Sequence, residues 1–386
     1  MSARCLTGIR VLDLSQYLPG PYAGQILADL GAEVVKIEPP AGDPMRRVPP
    51  LDSDGVSPFY KLINAGKTVV RLDLRDAAGK AAFLDLVDRA DGLIESFRPG
   101  ALARLGLGAE TLRARNPRLV HCALSGYGQS GPAALKAGHD INYMALAGGL
   151  ASSGTVERPV GAHPPTADFA SGMQAALTVL AALLGRERGG QGGGQGGGQG
   201  ATIDTSIAET VLAWQSLALT AAGRPGGEAA RGEGRLSGGA ACYQIYETAD
   251  GRFVTLGALE AKFWANFCRA LGREDWIARH GEALPQTELI AAVAEAIAAR
   301  PLAAWQALLA GVDCCYQAVL EPAEVPQDPQ VRARGLLRAY PGPEPRVEVA
   351  FPALFDGAPP APRARFEERT AEDLLAAWDG GYTKER

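Results

Sequence analysis

No apolar run in this chain is long enough to cross a bilayer, and the N-terminus carries no signal-peptide pattern. Neither a membrane partner nor secretion is expected, and a reduced cytoplasm is the expected setting. Cysteine occurs six times, at Cys5, Cys122, Cys242, Cys268, Cys314 and Cys315, with no C-x-x-C spacing, which points away from a disulfide framework and from a metal site. Positive charge is not in excess: 38 Lys and Arg stand against 43 Asp and Glu, a net charge of −5, so no basic stripe is available for nucleic acid. Two phosphate-cradling signatures are missing as well. The first strand is not followed by G-x-G-x-x-G, and there is no Walker sequence.

What is there reads as an ordinary folded protein, 47% apolar and 21% charged. At 386 residues it is too long for one small core, and two domains are expected. Ile9–Leu14 reads as a strand ending at Ser15 and the loop Pro19-Gly20-Pro21. Pro21 suits the start of a helix, Ile26, Leu27 and Leu30 recur at helical spacing, and Gly31 stops it before a strand at Glu33–Glu38. The unit repeats: strand Val69–Leu74, helix Asp76–Arg89, strand Gly92–Glu95, helix Ala109–Arg115, strand Leu119–Leu124. Such alternation predicts an α/β fold with a parallel sheet covered by helices.

Beyond Asp168 a long amphipathic helix is expected, with Met173, Leu177, Leu180 and Leu184 on one face. Residues 189–200 are a Gly/Gln tract with no side chains to build a core, read as a surface loop. A strand at Thr202–Asp204 and one helix over Ser206–Ala221 follow. Gly223–Gly239 reads as a connection, and Tyr243–Glu247 and Phe253–Leu256 flank Ala249-Asp250-Gly251 as a hairpin. Helices such as Glu260–Leu271 complete a smaller α+β domain. The expected division is therefore 1–222 for the large domain, 223–325 for linker and small domain, and 326–386 for a tail with a strand at Arg346–Phe351 and an acidic last helix.

The stretch with chemistry in it is Ala137-Gly138-His139-Asp140-Ile141-Asn142-Tyr143, followed some thirty residues on by Ala167-Asp168-Phe169. It places an imidazole and a carboxylate near two helix starts. Together they can move a proton to and from carbon. Each also has a plainer explanation: Asp168 as a helix N-cap worth roughly 1 kcal/mol, and His139 as a structural histidine satisfied by a neighbour. His163 is a rival base.

Four motifs in order carry a resemblance: Leu27 through Glu38 (LADLGAEVVKIE), Phe97-Arg98-Pro99-Gly100, Ser125-Gly126-Tyr127-Gly128 with Gly131-Pro132, and Gly138 through Tyr143 (GHDINY). Together they resemble the family III CoA-transferases, and within them the α-methylacyl-CoA racemases, over roughly the first 220 residues. The resemblance implies a Rossmann-like large domain built from both chain ends, a smaller domain between, and a homodimer of interlocked chains. It implies acyl-CoA thioesters as substrate, with CoA entering as part of that substrate and no permanently bound cofactor. It makes His139 and Asp168 the proton carriers, Asp140 a cap and backbone donor beside them, and Glu260 a partner of the histidine. Lys67, Arg98, Arg104 and Lys136 are implied near the nucleotide, with Phe97 and Tyr127 lining the pocket. Ala65 and Pro39 stand where the family often has arginine, for which Arg46 or Arg47 is the available substitute. Racemisation is the favoured activity. The alternatives are a CoA-transferase with Asp168 as nucleophile and a binder of acyl-CoA without catalysis.

Overall fold

The computed structural model describes residues 5–188, 198–225, 227, 230–339 and 347–380. The Gly/Gln tract lies outside them over residues 189–197. The chain divides into two units: Met1–Met144 with Pro164–Ala213 and Pro329–Arg386, and Ala145–His163 with Trp214–Asp328. The first unit is thus built from both chain ends. Ala145–His163, which the sequence keeps with the large domain, groups with the second unit. Its backbone is held by Arg231, whose guanidinium donates to the carbonyls of Thr155 (2.7 Å), Ala151 (3.3 Å) and Val156 (3.2 Å).

In chain order the first unit runs β1 (Arg10–Asp13), α1 (Pro19–Asp29), β2 (Glu33–Glu38), α2 (Pro58–Ile63), β3 (Thr68–Arg71), α3 (Ala77–Val87), β4 (Gly92–Glu95), α4 (Ala101–Arg104), α5 (Ala109–Arg115), β5 (Val120–Ser125), α6 (Asp140–Leu146), α7 (Thr166–Glu187), β6 (Thr202–Ser206) and α8 (Ile207–Trp214). The second supplies α9 (Ser216–Ala221), β7 (Tyr243–Glu247), β8 (Phe253–Gly257), α10 (Ala261–Leu271), α11 (Thr287–Ala298), α12 (Leu302–Leu309) and β9 (Tyr316–Ala318). The tail returns to the first with α13 (Pro329–Arg334), β10 (Leu337–Ala339), β11 (Val347–Val349), β12 (Glu367–Arg369) and α14 (Ala371–Gly380).

The large sheet has the order β12-β3-β2-β1-β4-β5-β6, with every pairing parallel. Strand order reverses between β1 and β4, which makes that crevice the topological switch point of a doubly wound sheet. Alternate side chains point to opposite faces. Leu12, Val35, Ile37, Val70 and Leu93 pack with Phe83, Leu86, Leu112, Leu374 and Trp378 from α3, α5 and α14. α1 and α7 pack on each other and lie against strands of the sheet. Gly172 permits that approach, since a Cβ there would sit 2.5 Å from the Pro19 carbonyl oxygen. β12 escapes a pattern search because its Glu-Glu-Arg has no apolar alternation and pairs at an edge.

α7 corrects the expectation that no stretch has spanning character: at 22 residues it holds a window of mean hydropathy 1.4. Half of that window is buried, and its packing on α1 identifies it as a core helix. The helix expected over Ser206–Ala221 is broken at Gln215 into α8 and α9.

The second unit pairs β7-β8-β9 antiparallel, and Gly251, at φ 69°, makes the hairpin turn. One sheet face covers Trp264, Trp276 and Trp305. Their burial is compatible with a polar N–H because Trp264 donates to the Trp276 carbonyl (2.9 Å) and Trp305 to the Ile297 carbonyl (2.8 Å).

Charge is buried beneath the turn that follows β1. The Lys67 ammonium, fully enclosed, donates to Asp13 Oδ2 (2.8 Å), the Pro21 carbonyl (2.8 Å) and Asn64 Oδ1 (3.0 Å). That uses all three of its donors, so Lys67 does not serve a nucleotide phosphate as the resemblance implies. Lys36 beside it reaches the Ser15 carbonyl (2.6 Å) and Asp43 (2.9 Å). Burial alone would raise the Asp13 carboxyl, but Lys67 and Lys36 hold it down to about 2. Lys67→Met removes the ammonium that contacts Asp13 directly and leaves its interior charge with only Lys36 nearby. Urea denaturation at neutral pH should show a loss of about 3–5 kcal/mol.

Candidate active site

The C-terminal ends of β1, β4 and β5 open into a cavity of about 480 Å³. Gln16 and Tyr17 reach it from the turn after β1, Ser96, Phe97 and Arg98 from the loop after β4, and Ser125 and Gly126 from the end of β5. Lys136, His139, Tyr143 and Asp168 complete the wall. This is where an open parallel sheet binds its ligand. Gln16 N–H donates to Ser96 Oγ (3.0 Å), stitching the two loops together across the switch point. Tyr17 sits at φ 63°, a conformation a non-glycine residue holds only under constraint from its surroundings.

His139 immediately precedes α6, and its N–H donates to Asn142 Oδ1 (3.0 Å), which turns the chain into the helix. Asp140, the first residue of α6, reaches the start of α7: its Oδ1 accepts from the amides of Ala167 (2.6 Å) and Asp168 (3.1 Å). Asp168 is therefore not the cap of its own helix. The capping position is Pro165, which has no side-chain bond to offer, and Asp140 supplies it from elsewhere in the chain. Asp168 is left in the first turn with its carboxyl facing the cavity. Burial and the neighbouring Asp140 charge raise that carboxyl to about 6, against an opposing pull from His139. The imidazole and carboxyl thus share one cavity and act on each other electrostatically. Tyr143 supports the arrangement by donating to the Gly138 carbonyl (2.6 Å). Its ring fits only because Gly126 lacks a side chain, since a Cβ there would lie 2.5 Å from it.

The other expected residues distribute unevenly. Phe97, Arg98 and Lys136 line the cavity. Tyr127 does not. Its ring packs edge-on against Tyr143, with centroids 5.1 Å apart. Arg104 is exposed at the end of α4 and lines neither this cavity nor a second one of about 440 Å³. That second cavity shares Gln16 and Phe97 with the first and is walled by Pro39, Leu72, Leu74 and Leu105, with Arg75 at its edge. Arg46 is not a substitute cation. It is committed to Glu38 (2.8 Å) and Glu368 (3.0 Å) and lies over the Tyr60 ring at 4.3 Å. Arg47 is exposed, close to the Ala41 carbonyl at 3.4 Å. Glu260 and His163 both belong to the second unit, Glu260 exposed at the capping position of α10. Gln16, Tyr17, Ser96 and Arg75 are among the lining residues outside the motifs, and their one signal is position, in loops that follow strand ends. Ser125, the last residue of β5, lies within the Ser125-Gly126-Tyr127-Gly128 motif but is not singled out there as a ligand contact.

The family III CoA-transferase profile matches residues 6–366. The chain belongs to CoA-transferase family III. It is 35% identical to α-methylacyl-CoA racemase of Homo sapiens, across 86% of this chain and 81% of that one. It is 32% identical to the acetyl-CoA:oxalate CoA-transferase of Acetobacter aceti, across 86% of this chain and 84% of that one. Its fold matches a CAIB/BAIF family protein from Brucella suis at a TM-score of 0.81 and 26% identity, covering 97% of this chain and 98% of the other.

One more titratable group shapes the site of this family III chain. Glu95, 6% exposed at the end of β4, accepts the Phe97 N–H on Oε2 (2.6 Å) and so orders the loop that carries Phe97 and Arg98. Burial raises its carboxyl to about 7, with a further push from Asp204. A folded-state value above the unfolded one means that the protonated form is favoured by folding. That contribution is complete below the ordinary carboxyl range and fades as pH rises through about 7. Glu95→Gln keeps an acceptor for Phe97 and cannot ionise. It should raise the melting temperature relative to the parent at pH 8 and much less at pH 5, measured by calorimetry.

Proposed function

We propose that this chain is a racemase/epimerase interconverting (R)- and (S)-2-methylacyl-CoA thioesters, with His139 and Asp168 as its two proton carriers. The observation that carries this reading is the placement of both side chains on one cavity by helices that Asp140 ties together. The α-hydrogen of a thioester is weakly acidic. One carrier takes it as a proton, the C–H electron pair becomes an enolate with its charge on the thioester oxygen, and the other carrier returns a proton to the opposite face. The pair needs one proton between them, and either can begin with it. A carboxyl raised to about 6 suits that exchange near neutral pH, because it is neither too weak a base nor too weak an acid. At the start of α6 the N–H groups of Asn142 and Tyr143 donate to the His139 carbonyl, which leaves those of Asp140 and Ile141 as the candidate donors for the enolate oxygen in this reading. Arg98 and Lys136 supply cations for the CoA phosphates.

Relatives named as CoA-transferases stand at comparable identity, as the 32% match to the Acetobacter enzyme illustrates, and favour a second reading. In it the Asp168 carboxylate attacks the thioester carbonyl, CoA leaves as its thiolate and a mixed anhydride forms; the thiolate then attacks the aspartyl carbonyl of that anhydride, releasing the acyl group as a free carboxylate and leaving an aspartyl thioester. Such a nucleophile must be ionised. Burial and Asp140 oppose that, and the mechanism has no use for an imidazole on the same cavity. The exposed apolar residues Met173, Leu177 and Leu184 on α7 support a homodimer as the working form.

One enantiomer of a 2-methylacyl-CoA incubated in D₂O should lose its α-proton signal while the other enantiomer appears. His139→Ala should slow this about 10²–10⁴-fold. Persistence of the α-proton while CoA moves to an added carboxylic acid would instead make Asp168 a nucleophile. Silence in both assays, with binding retained, leaves a non-catalytic acyl-CoA binder.

Asp140→Asn keeps the amide acceptor for α7 and removes the charge. Loss of that charge lowers the Asp168 carboxyl. The acid limb of the kcat/KM profile, expected near pH 6 in the parent, should therefore move to lower pH in the variant.

A further inference from the structure

Ser125 closes β5 and is 6% exposed, yet its hydroxyl oxygen has no hydrogen-bond partner among the described residues. It lines the cavity that holds His139 and Asp168. Buried hydroxyls without partners are uncommon in folded proteins, and each calls for an account. Here the account is a ligand atom. The strand ladder orients the residue, with Ser125 paired to Ser206 of β6 in the parallel register. Of its neighbours on the wall, Tyr143 has its O–H committed to the Gly138 carbonyl, whereas the Ser125 hydroxyl is uncommitted. Arg98 and Lys136 are exposed cations, suited to phosphate rather than to a neutral carbonyl. The two groups are also close. A Cβ on Gly126 would lie 2.6 Å from the Tyr143 hydroxyl oxygen, and that hydroxyl donates to the Gly138 carbonyl (2.6 Å), so the neighbour of Ser125 and the neighbour of His139 meet at one edge of a single tyrosine ring. A thioester with its α-carbon between His139 and Asp168 must run its oxygen or its pantetheine arm past such a wall.

We propose that Ser125 is a positioning residue that donates a hydrogen bond to a carbonyl oxygen of the bound acyl-CoA. This rests on the acyl-CoA reading of the same site. The acceptor has two possible sources, the thioester oxygen and the first amide oxygen of the pantetheine arm, and both are neutral carbonyls.

The test uses full-length protein and three 2-methylbutanoyl thioesters: of CoA, of N-acetylcysteamine, which keeps one amide, and of ethanethiol, which has none. Exchange of the α-proton in D₂O is followed for the parent, Ser125→Ala and Ser125→Thr. Ser125→Ala should lose about tenfold in kcat/KM with the CoA thioester, the size expected for one neutral hydrogen bond, and should keep the parent melting temperature. Ser125→Thr retains the hydroxyl on a strand that accommodates β-branched residues and should recover most of the loss. A loss that persists with the ethanethiol ester assigns the bond to the thioester oxygen. A loss confined to the two amide-bearing esters assigns it to the pantetheine amide. If the parent turns over the CoA thioester and Ser125→Ala matches it, the role of Ser125 is overturned and the function stands. If Ser125→Thr fails as badly as Ser125→Ala and both melt lower, the residue is structural and the proposal is overturned. A parent that neither binds the CoA thioester in calorimetry nor exchanges its α-proton overturns the functional reading and the role of Ser125 with it.

Discussion

One carboxylate accepting two amide N–H groups holds the candidate site together. Asp140 begins α6 and caps α7, so the helix that follows His139 and the helix that contains Asp168 share a single anchor. His139 and Asp168, 29 apart in sequence, thereby meet on one cavity wall. The same carboxylate sets the chemistry, since its charge helps raise the Asp168 carboxyl. A capping interaction of ordinary strength thus does two things at once. It fixes where the Asp168 carboxyl sits, and it adjusts how tightly that carboxyl holds its proton.

That anchor works only because the ground beneath it is rigid. The switch point between β1 and β4 places three strand ends around one crevice, and the turn after β1 is braced from below by the enclosed charges of Lys67, Asp13, Lys36 and Asp43. Breaking any such pair would leave an interior charge alone, which is far more destabilising than the pair is stabilising. Glycine enters where backbones or rings must come close: Gly172 between α1 and α7, and Gly126 beneath Tyr143. The strained Tyr17 and the uncommitted Ser125 hydroxyl both face the cavity.

Much of the fold was legible in the chain. β2 and β4 lie where the apolar runs place them, α5 spans the expected Ala109–Arg115, and the Asp250-Gly251 hairpin forms as its turn residues require. These features depend on local preferences: side-chain alternation, helix stops at glycine, and turn residues that tolerate positive φ. Failures came where a partner distant in sequence decides. β12 exists only because the edge of β3 is there to pair with. The expected helix over Ser206–Ala221 breaks at Gln215, and Ala145–His163 follows Arg231 into the second unit.

The candidate site divides along the same line. Sequence by itself determined the family, the α/β alternation and the candidacy of His139 and Asp168 as a chemical pair, because those reside in residue types and short motifs that need no third dimension. Tertiary structure alone decided what each charge is used for. Lys67 and Arg46 read as candidate phosphate ligands, yet they are consumed by Asp13 and by Glu38 and Glu368. Asp168, whose position suggests a cap, is itself capped. Ser125, named in a motif but given no role there, becomes a buried hydroxyl without a partner among the described residues. A side chain's type is written in the chain. Whether its hydrogen bonds and charge remain available depends on which distant groups folding brings within about 3 Å of it, and no local pattern records that.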